Sequence, residues 1–192
     1  QLYTPVTPFY AESGGQVGDQ GEVIWQGGKA DVTSTQSEGG VVLHAVTLVE
    51  GKLTSGEQVE LLVANKVRSE TACNHTSTHL LHAALRETLG DHVKQAGSLV
   101  GPNRLRFDFT HFSPLSPDEI HSIEQRVNQK IRENIAVETK LLGKEAAIAE
   151  GATALFGEKY DDEVRVVSLN TFSKELCGGT HVNATGQIGV FK

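Results

Sequence analysis

Cys73-Asn74-His75-Thr76-Ser77-Thr78-His79-Leu80-Leu81 lies in the middle of the chain, and far downstream comes Cys177-Gly178-Gly179-Thr180-His181. Each stretch holds two metal-competent side chains separated by three residues. On a helix, residues four apart share a face, so His75 and His79 can grip one ion. In the second stretch, Gly178 and Gly179 have the freedom of positive φ, which lets a loop fold Cys177 and His181 back to one point. Three imidazoles and a thiolate suit one tetrahedral Zn²⁺. His82, a turn beyond His79, is a rival ligand, although a helix histidine packed against a sheet is the plainer reading. Cys73 lies about 200° around a helix from His75, which turns it away and makes it a small core residue. His44, His92, His111 and His121 have no partner at ligand spacing; His111, after Asp108-Phe109-Thr110, is the one worth following.

Working outward, the helix that carries His75 and His79 runs from Lys66 to Leu89, with Asn65 as N-cap and Gly90 in the C′ role. Leu80, Leu81, Ala84 and Leu85 form its buried stripe. Upstream, residues 1–64 read as β. Val23-Ile24-Trp25, Val41-Val42-Leu43 and Val59 to Val63 are short apolar stretches separated by glycine turns, the pattern of a small N-terminal β-barrel or sandwich. Downstream, Lys94 to Val100 and Arg104 to Phe109 read as strands, the second alternating Leu105, Phe107 and Phe109 with charged neighbours. Ser116-Pro117-Asp118-Glu119 is a capping box opening a helix whose apolar positions are Ile120, Ile123, Val127 and Ile131. Strands over 136–142 and 163–169, a short helix from Lys144 and a final strand over Ile188 to Phe191 complete the reading. The elements mix without a βαβ rhythm, so the fold class is α+β. The expected domains are a barrel at 1–64 and a zinc-binding α+β domain at 65–192.

The chain has 192 residues, 38% apolar and 21% charged, with a net charge of −7. No apolar run approaches the roughly 18 residues of a membrane span, so no membrane partner is expected. Two cysteines and no secretory leader point to a reducing, cytoplasmic setting. With no methionine, the chain is expected to be a piece of a longer protein. The acidic balance argues against a generic, charge-driven nucleic-acid binder. It leaves local basic patches open: Lys66 with Arg68, Arg104 with Arg106, and Arg126, Lys130 and Arg132.

Four protein ligands would close a tetrahedron, the usual form of a structural ion, whereas catalysis needs an exchangeable position. Thr76 stands where the HExxH metalloproteases have their general-base glutamate, and there is no Gly-x-Ser-x-Gly elbow. Peptidase and lipase chemistry are therefore poorly supported.

Taken together, Ala11-Glu-Ser-Gly-Gly-Gln-Val-Gly-Asp19, the His75/His79 helix, Gly97-Ser-Leu-Val100 leading into Arg104-Leu-Arg-Phe-Asp-Phe109, and Cys177-Gly-Gly-Thr-His181 resemble the editing region of alanyl-tRNA synthetases. The order is the same and the resemblance spans essentially the whole chain. It implies an α+β editing domain, related to that of threonyl-tRNA synthetases and preceded by a small β-barrel, which hydrolyses tRNA(Ala) mischarged with serine or glycine. The zinc ligands it implies are His75, His79, Cys177 and His181. Thr78 resembles the residue that recognises the serine hydroxyl, Gln95 one that lines the site, and Gly14-Gly15-Gln16 a glycine-rich discrimination motif. Arg104 and Arg106 are weaker candidates for contact with tRNA or substrate. The implied partners are the mischarged tRNA 3′ end and the remainder of a synthetase chain. The class II motifs for ATP and alanine are missing, so ATP and Mg²⁺ belong only to the parent's catalytic domain. The alternatives are a stand-alone editing hydrolase of the AlaX type, which shares the core, and a structural-zinc RNA-binding module without catalysis.

Overall fold

The computed structural model describes residues 1–154 and 161–192. Strands β1 (Leu2–Tyr3), β2 (Gly21–Trp25), β3 (Gly28–Glu38), β4 (Val41–Glu50) and β5 (Glu60–Val63) form an antiparallel sheet in the order β1-β4-β3-β2-β5. Alternate residues face one apolar core of Phe9, Val23, Trp25, Ala30 and Val32, which Leu2, Leu61 and Val63 also join. The sheet thus curls until both edges reach the same core, but no ladder joins β1 to β5 among the described residues. Where the strand spacing points to a small barrel or sandwich, the described strands form one five-stranded sheet without a closing ladder.

Helix α1 (Asn65–Leu89) follows directly. Asn65 is its first helical residue rather than its cap; Ala64 holds the cap position without a side-chain bond. The N-terminus is tethered instead by Arg68, which donates from Nε to Asp19 at 3.0 Å and also reaches the Pro8 carbonyl. Gly90 ends the helix at φ 112°, a left-handed value that a side chain would resist. The buried face of α1 has two halves. From Leu80 onward it is apolar except at His82: Leu80, Ala84 and Leu85 pack against Ile123, Val127 and Ile131 of α2 (Pro117–Arg132). Before Leu80 it is polar, with Thr71, His75, Thr76, Ser77, Thr78 and His79 all buried. Burying so many polar groups costs stability unless each finds a partner.

Beyond α1 come the hairpin of β6 (Gln95–Val100) and β7 (Leu105–Phe109), and then α2. The sheet β10-β9-β8 is built from β8 (Glu138–Gly143), β9 (Glu163–Leu169) and β10 (Ser173–Leu176), with α3 (Lys144–Ala149) against it. Strand β10 was not legible as a strand, because Ser-Lys-Glu-Leu lacks an apolar alternation. The strand expected over 188–191 is absent. A 3₁₀ turn at Thr185–Ile188 ends at Gly189 (φ 82°), and the Asn128 side chain takes the Phe191 N–H at 2.9 Å. No helix among the described residues is long and apolar enough to cross a membrane.

The capping box of α2 forms as the sequence predicts. Ser116 Oγ accepts from the Glu119 N–H at 3.3 Å, and Glu119 Oε2 accepts from the Ser116 N–H at 2.7 Å. Replacing Ser116 by Ala should cost about 1 kcal/mol in chemical denaturation, because the Glu119 N–H at the helix start loses its acceptor.

Candidate metal centre

Helix α1 delivers His75 and His79 with rings nearly parallel, centroids 5.3 Å apart and an interplanar angle of 13°. Cys177 follows β10, and its backbone is held by Arg165 on β9. Cys177 N–H donates to the Arg165 carbonyl at 2.9 Å, while the Arg165 guanidinium binds the carbonyls of Cys177 (3.0 Å) and Gly179 (2.5 Å). The loop then turns His181 back towards the helix. One donor atom from each of His75, His79, Cys177 and His181 falls within 4.8 Å of all the others. Cys177 Sγ lies 3.3 Å from His75 Nε2 and 3.3 Å from His181 Nε2.

Each of the three imidazoles is aimed by a hydrogen bond at its other nitrogen. His75 Nδ1 donates to Gln16 Oε1 at 2.6 Å, and His79 Nδ1 to Glu175 Oε2 at 2.6 Å. His181 Nδ1 pairs with Thr76 Oγ1 at 3.2 Å. With Nδ1 engaged, Nε2 of each ring is the nitrogen left to face the centre. Such outer partners fix the tautomer and orientation of histidine ligands in metal sites.

The charges fit the same purpose. Burial pushes the Cys177 thiol up, but hydrogen bonds from His181 and His75, with the charge of His79, outweigh it and hold the thiol well below its usual range. Burial also works against the Glu175 carboxylate, yet His79 and His82 keep it well below the ordinary carboxylate value. Burial, with the like charges of His79 and His75, lowers His181 to about 3. His79 goes the other way: burial opposes its charge, but Glu175 and Cys177 push it up to about 10. Two buried anionic groups demand positive charge. A proton on His79 supplies part of it; a divalent cation would supply more and displace that proton. His79 Nε2 is buried with no hydrogen-bond partner, as expected of an atom meant for an ion. The donor set, one sulfur and three nitrogens, fits Zn²⁺.

The glycines act differently from the sequence expectation. Neither Gly178 nor Gly179 has positive φ. Gly179 is required for space, because a Cβ there would overlap the His75 ring and crowd Gln16 Oε1, whereas at Gly178 it would meet nothing within 4 Å. The glycines that need a left-handed backbone are Gly14 (φ 57°) and Gly15 (φ 81°). They form a two-residue turn, with Ser13 and Gln16 exchanging backbone bonds of 2.9 and 3.2 Å. Gly15 O and Val17 N–H then bind Val100 at 2.8 and 3.0 Å, so the turn docks on β6 and Gln16 enters the centre. There its side chain takes the Thr180 N–H at 2.9 Å as well as His75.

Not every candidate joins the cluster. Thr78 is buried on α1 and donates to the Asn74 carbonyl at 3.0 Å. Gln95 starts β6 and lines a neighbouring cleft with His82. No hydrogen bond among the described residues ties either to the four donors. Arg104 and Arg106 are exposed, and Arg106 pairs with Asp108 at 3.1 Å. Among the basic patches, Arg68 is committed to Asp19 and Arg126 to Glu87. His82 is not a ligand: it donates to Glu175 Oε1 at 2.8 Å and packs on Phe107 of β7. Cys73 is half-buried, its thiol 3.5 Å from the Gln187 carbonyl rather than in the core. His111 meets His92 at 2.9 Å on the surface, away from the cluster. Glu175 and Thr76 were not anticipated. Thr76 was visible only as the residue displacing a catalytic glutamate, and nothing in the sequence marks Glu175 among the chain's acids.

Two substitutions separate space from chemistry. Gly179→Ala should destabilise the protein by about 1–3 kcal/mol through overpacking and lower metal content, while Gly178→Ala leaves melting temperature and metal content unchanged. Glu175→Gln keeps the shape but removes the charge. Its affinity for Zn²⁺ in a chelator competition should fall roughly 10- to 100-fold.

Residues 4–67 match the family model of class II (A) tRNA synthetases, and residues 164–192 match that of the threonyl and alanyl tRNA synthetase second additional domain. The chain is 56% identical over 187 residues to the alanine–tRNA ligase of Thermotoga maritima, covering 97% of this chain and 22% of that protein. It is 54% identical over 187 residues (97% of this chain, 22% of the relative) to the ligase of Pseudothermotoga lettingae. With that of Anaeromyxobacter sp. the identity is 55% over 193 residues, 100% of this chain and 21% of the relative. The chain thus spans about a fifth of the length of these relatives. Matched along essentially its whole length, the chain corresponds to a segment of alanyl-tRNA synthetases.

Proposed function

We propose that this chain is an editing deacylase segment, hydrolysing the ester that joins tRNA(Ala) to wrongly attached serine or glycine. The observation that carries the reading is the convergence of four donors, three of them imidazoles aimed by Gln16, Glu175 and Thr76. His75, His79, Cys177 and His181 would hold one Zn²⁺. When bound, the ion supplies Lewis acidity, polarising a carbonyl or lowering the pKa of a water. The catalytic unit is residues 65–192, with 1–64 as a supporting β domain that lends Gln16. Ligation of alanine to tRNA, with its ATP and Mg²⁺, belongs to the rest of a synthetase, and the setting is the cytoplasm.

Serine exceeds alanine by one hydroxyl, and an apolar pocket rejects such an addition only about 10²-fold. A second site that hydrogen-bonds the hydroxyl discriminates the other way, because alanine leaves buried polar groups unpaired. Thr78 suits that role. Its hydroxyl proton is given to the Asn74 carbonyl, so towards a substrate its oxygen accepts. Gln95 offers an amide at the edge of the adjoining cleft. Aminoacyl esters are intrinsically labile, so holding the ester and a water in line accounts for much of the barrier. Among the described residues no carboxylate stands free beside the donors to act as a base; Glu175 is spent on two histidines.

Cys177→Ala should lower bound zinc from one ion per chain to none and cut the rate of Ser-tRNA(Ala) deacylation at least 100-fold. Chelation of the wild-type protein should have the same effect, reversed by zinc. Full activity in zinc-free protein would sink the reading. Zinc-dependent folding and tRNA binding without deacylation would favour a structural RNA-binding module instead.

A further inference from the structure

Two histidines on α1 share one carboxylate. Glu175 takes His79 Nδ1 on Oε2 (2.6 Å) and His82 Nδ1 on Oε1 (2.8 Å). The Nε2 atoms of both rings are buried and, among the described residues, have no hydrogen-bond partner. For His79 the metal centre accounts for this. For His82, 3% exposed and outside the ligand set, it does not. A buried imidazole nitrogen without a partner is costly enough to need an explanation.

The His82 ring lines a cleft of about 320 Å³ with Arg86, Asp91, Lys94, Gln95 and Thr153. Arg86 is four residues on, so it rises from the same face of α1. Its terminal nitrogens are engaged, Nη2 with Asp91 at 2.9 Å and Nη1 with Thr153 at 3.5 Å. Its Nε is buried and unpartnered too. The cleft therefore has two unanswered groups of opposite kind. A carboxylate only accepts, so His82 Nδ1 is the donor to Glu175, and in the tautomer that this bond selects Nε2 is an acceptor. Arg86 Nε–H can only donate.

From this pair we infer that the cleft binds a hydroxyl of the substrate, which donates to His82 Nε2 and accepts from Arg86 Nε. A carboxylate or phosphate has no proton for Nε2. An ammonium has no lone pair for Arg86 and is repelled by Arg86 and Lys94. The inference rests on the ester-hydrolase reading, whose substrate offers two kinds of hydroxyl: that of the terminal ribose beside the ester, and that of the seryl side chain, which would then give its proton to His82 instead of Thr78.

The test uses metal-loaded protein and non-hydrolysable 3′-amide-linked aminoacyl-adenosines in four forms: seryl or alanyl, each with or without the ribose 2′-hydroxyl. His82→Asn can keep a side-chain N–H for Glu175 while deleting Nε2; Arg86→Lys, which keeps the charge but loses Nε, is the second variant. Zinc content by elemental analysis should stay at one per chain in both. In wild type, removing the relevant hydroxyl should weaken binding about tenfold, the scale of one hydrogen bond. In either variant the same removal should make no further difference, because the partner is already gone. Coupling to the seryl side chain or to the 2′-hydroxyl identifies the source. If both deletions weaken wild type and variants by equal factors, a water fills the cleft and the inference is overturned while the ester reading stands. Failure of wild type to bind any of the four, together with no deacylation of Ser-tRNA(Ala), overturns the ester reading and the inference with it.

Discussion

An imidazole carries two nitrogens on different edges, so a hydrogen bond to one fixes where the other points. That constraint organises the whole structure around the centre. Gln16 arrives from the N-terminal β region, Glu175 from strand β10, and Thr76 from α1 itself. Each takes the Nδ1 of one histidine, and the three Nε2 atoms are thereby committed to the donor cluster with Cys177. Remove any of these partners and a ring is free to turn, with a buried nitrogen left unsatisfied. The fold therefore depends on three bonds between elements distant in the chain, and those bonds become worthwhile only when a cation answers the converging lone pairs and the thiolate.

The polar half of α1 follows from the same constraint. A helix buried on every side normally presents apolar residues, and beyond Leu80 this one does, His82 apart. Before Leu80 it buries threonine, serine and histidine instead. These are tolerated because partners exist for them: Ser77 and Thr78 bond back to the carbonyls of Cys73 and Asn74, and Thr76 takes the Val182 N–H at 3.2 Å as well as His181. The stability given up by burying polar atoms would be recovered by binding an ion at the four donors and, on our inference, a hydroxyl at His82 and Arg86. The single carboxylate of Glu175 joins the two places by bonding both His79 and His82.

The N-terminal sheet is tied to this arrangement rather than merely preceding it. Asp19 anchors Arg68 at the start of α1, and the Gly14-Gly15 turn docks on β6. The glycine-rich stretch that resembles a discrimination motif is therefore also what inserts Gln16 against His75 and Thr180. Its glycines serve the backbone; its glutamine serves the centre.

Much of this was legible from local pattern. The spacing of His75 and His79 on a helix, the capping box at Ser116, the glycine at the end of α1 and the α+β mixture all follow from periodicities and conformational preferences that act over a few residues. The open edge of the N-terminal sheet, the strand at Ser173–Leu176 and the lack of one at 188–191 do not, because pairing depends on which distant strand is available. The same division runs through the site. Sequence spacing determined the four donors, since ligand pairs at helical or loop spacing declare themselves locally. Only the tertiary structure decided which of many acids, amides and hydroxyls would aim them. Gln16 is 59 positions from its histidine, Glu175 is 96 from His79 and Thr76 is 105 from His181. No local preference records a contact made across such a distance. It exists because the chain is brought together there, where a buried imidazole must find a partner.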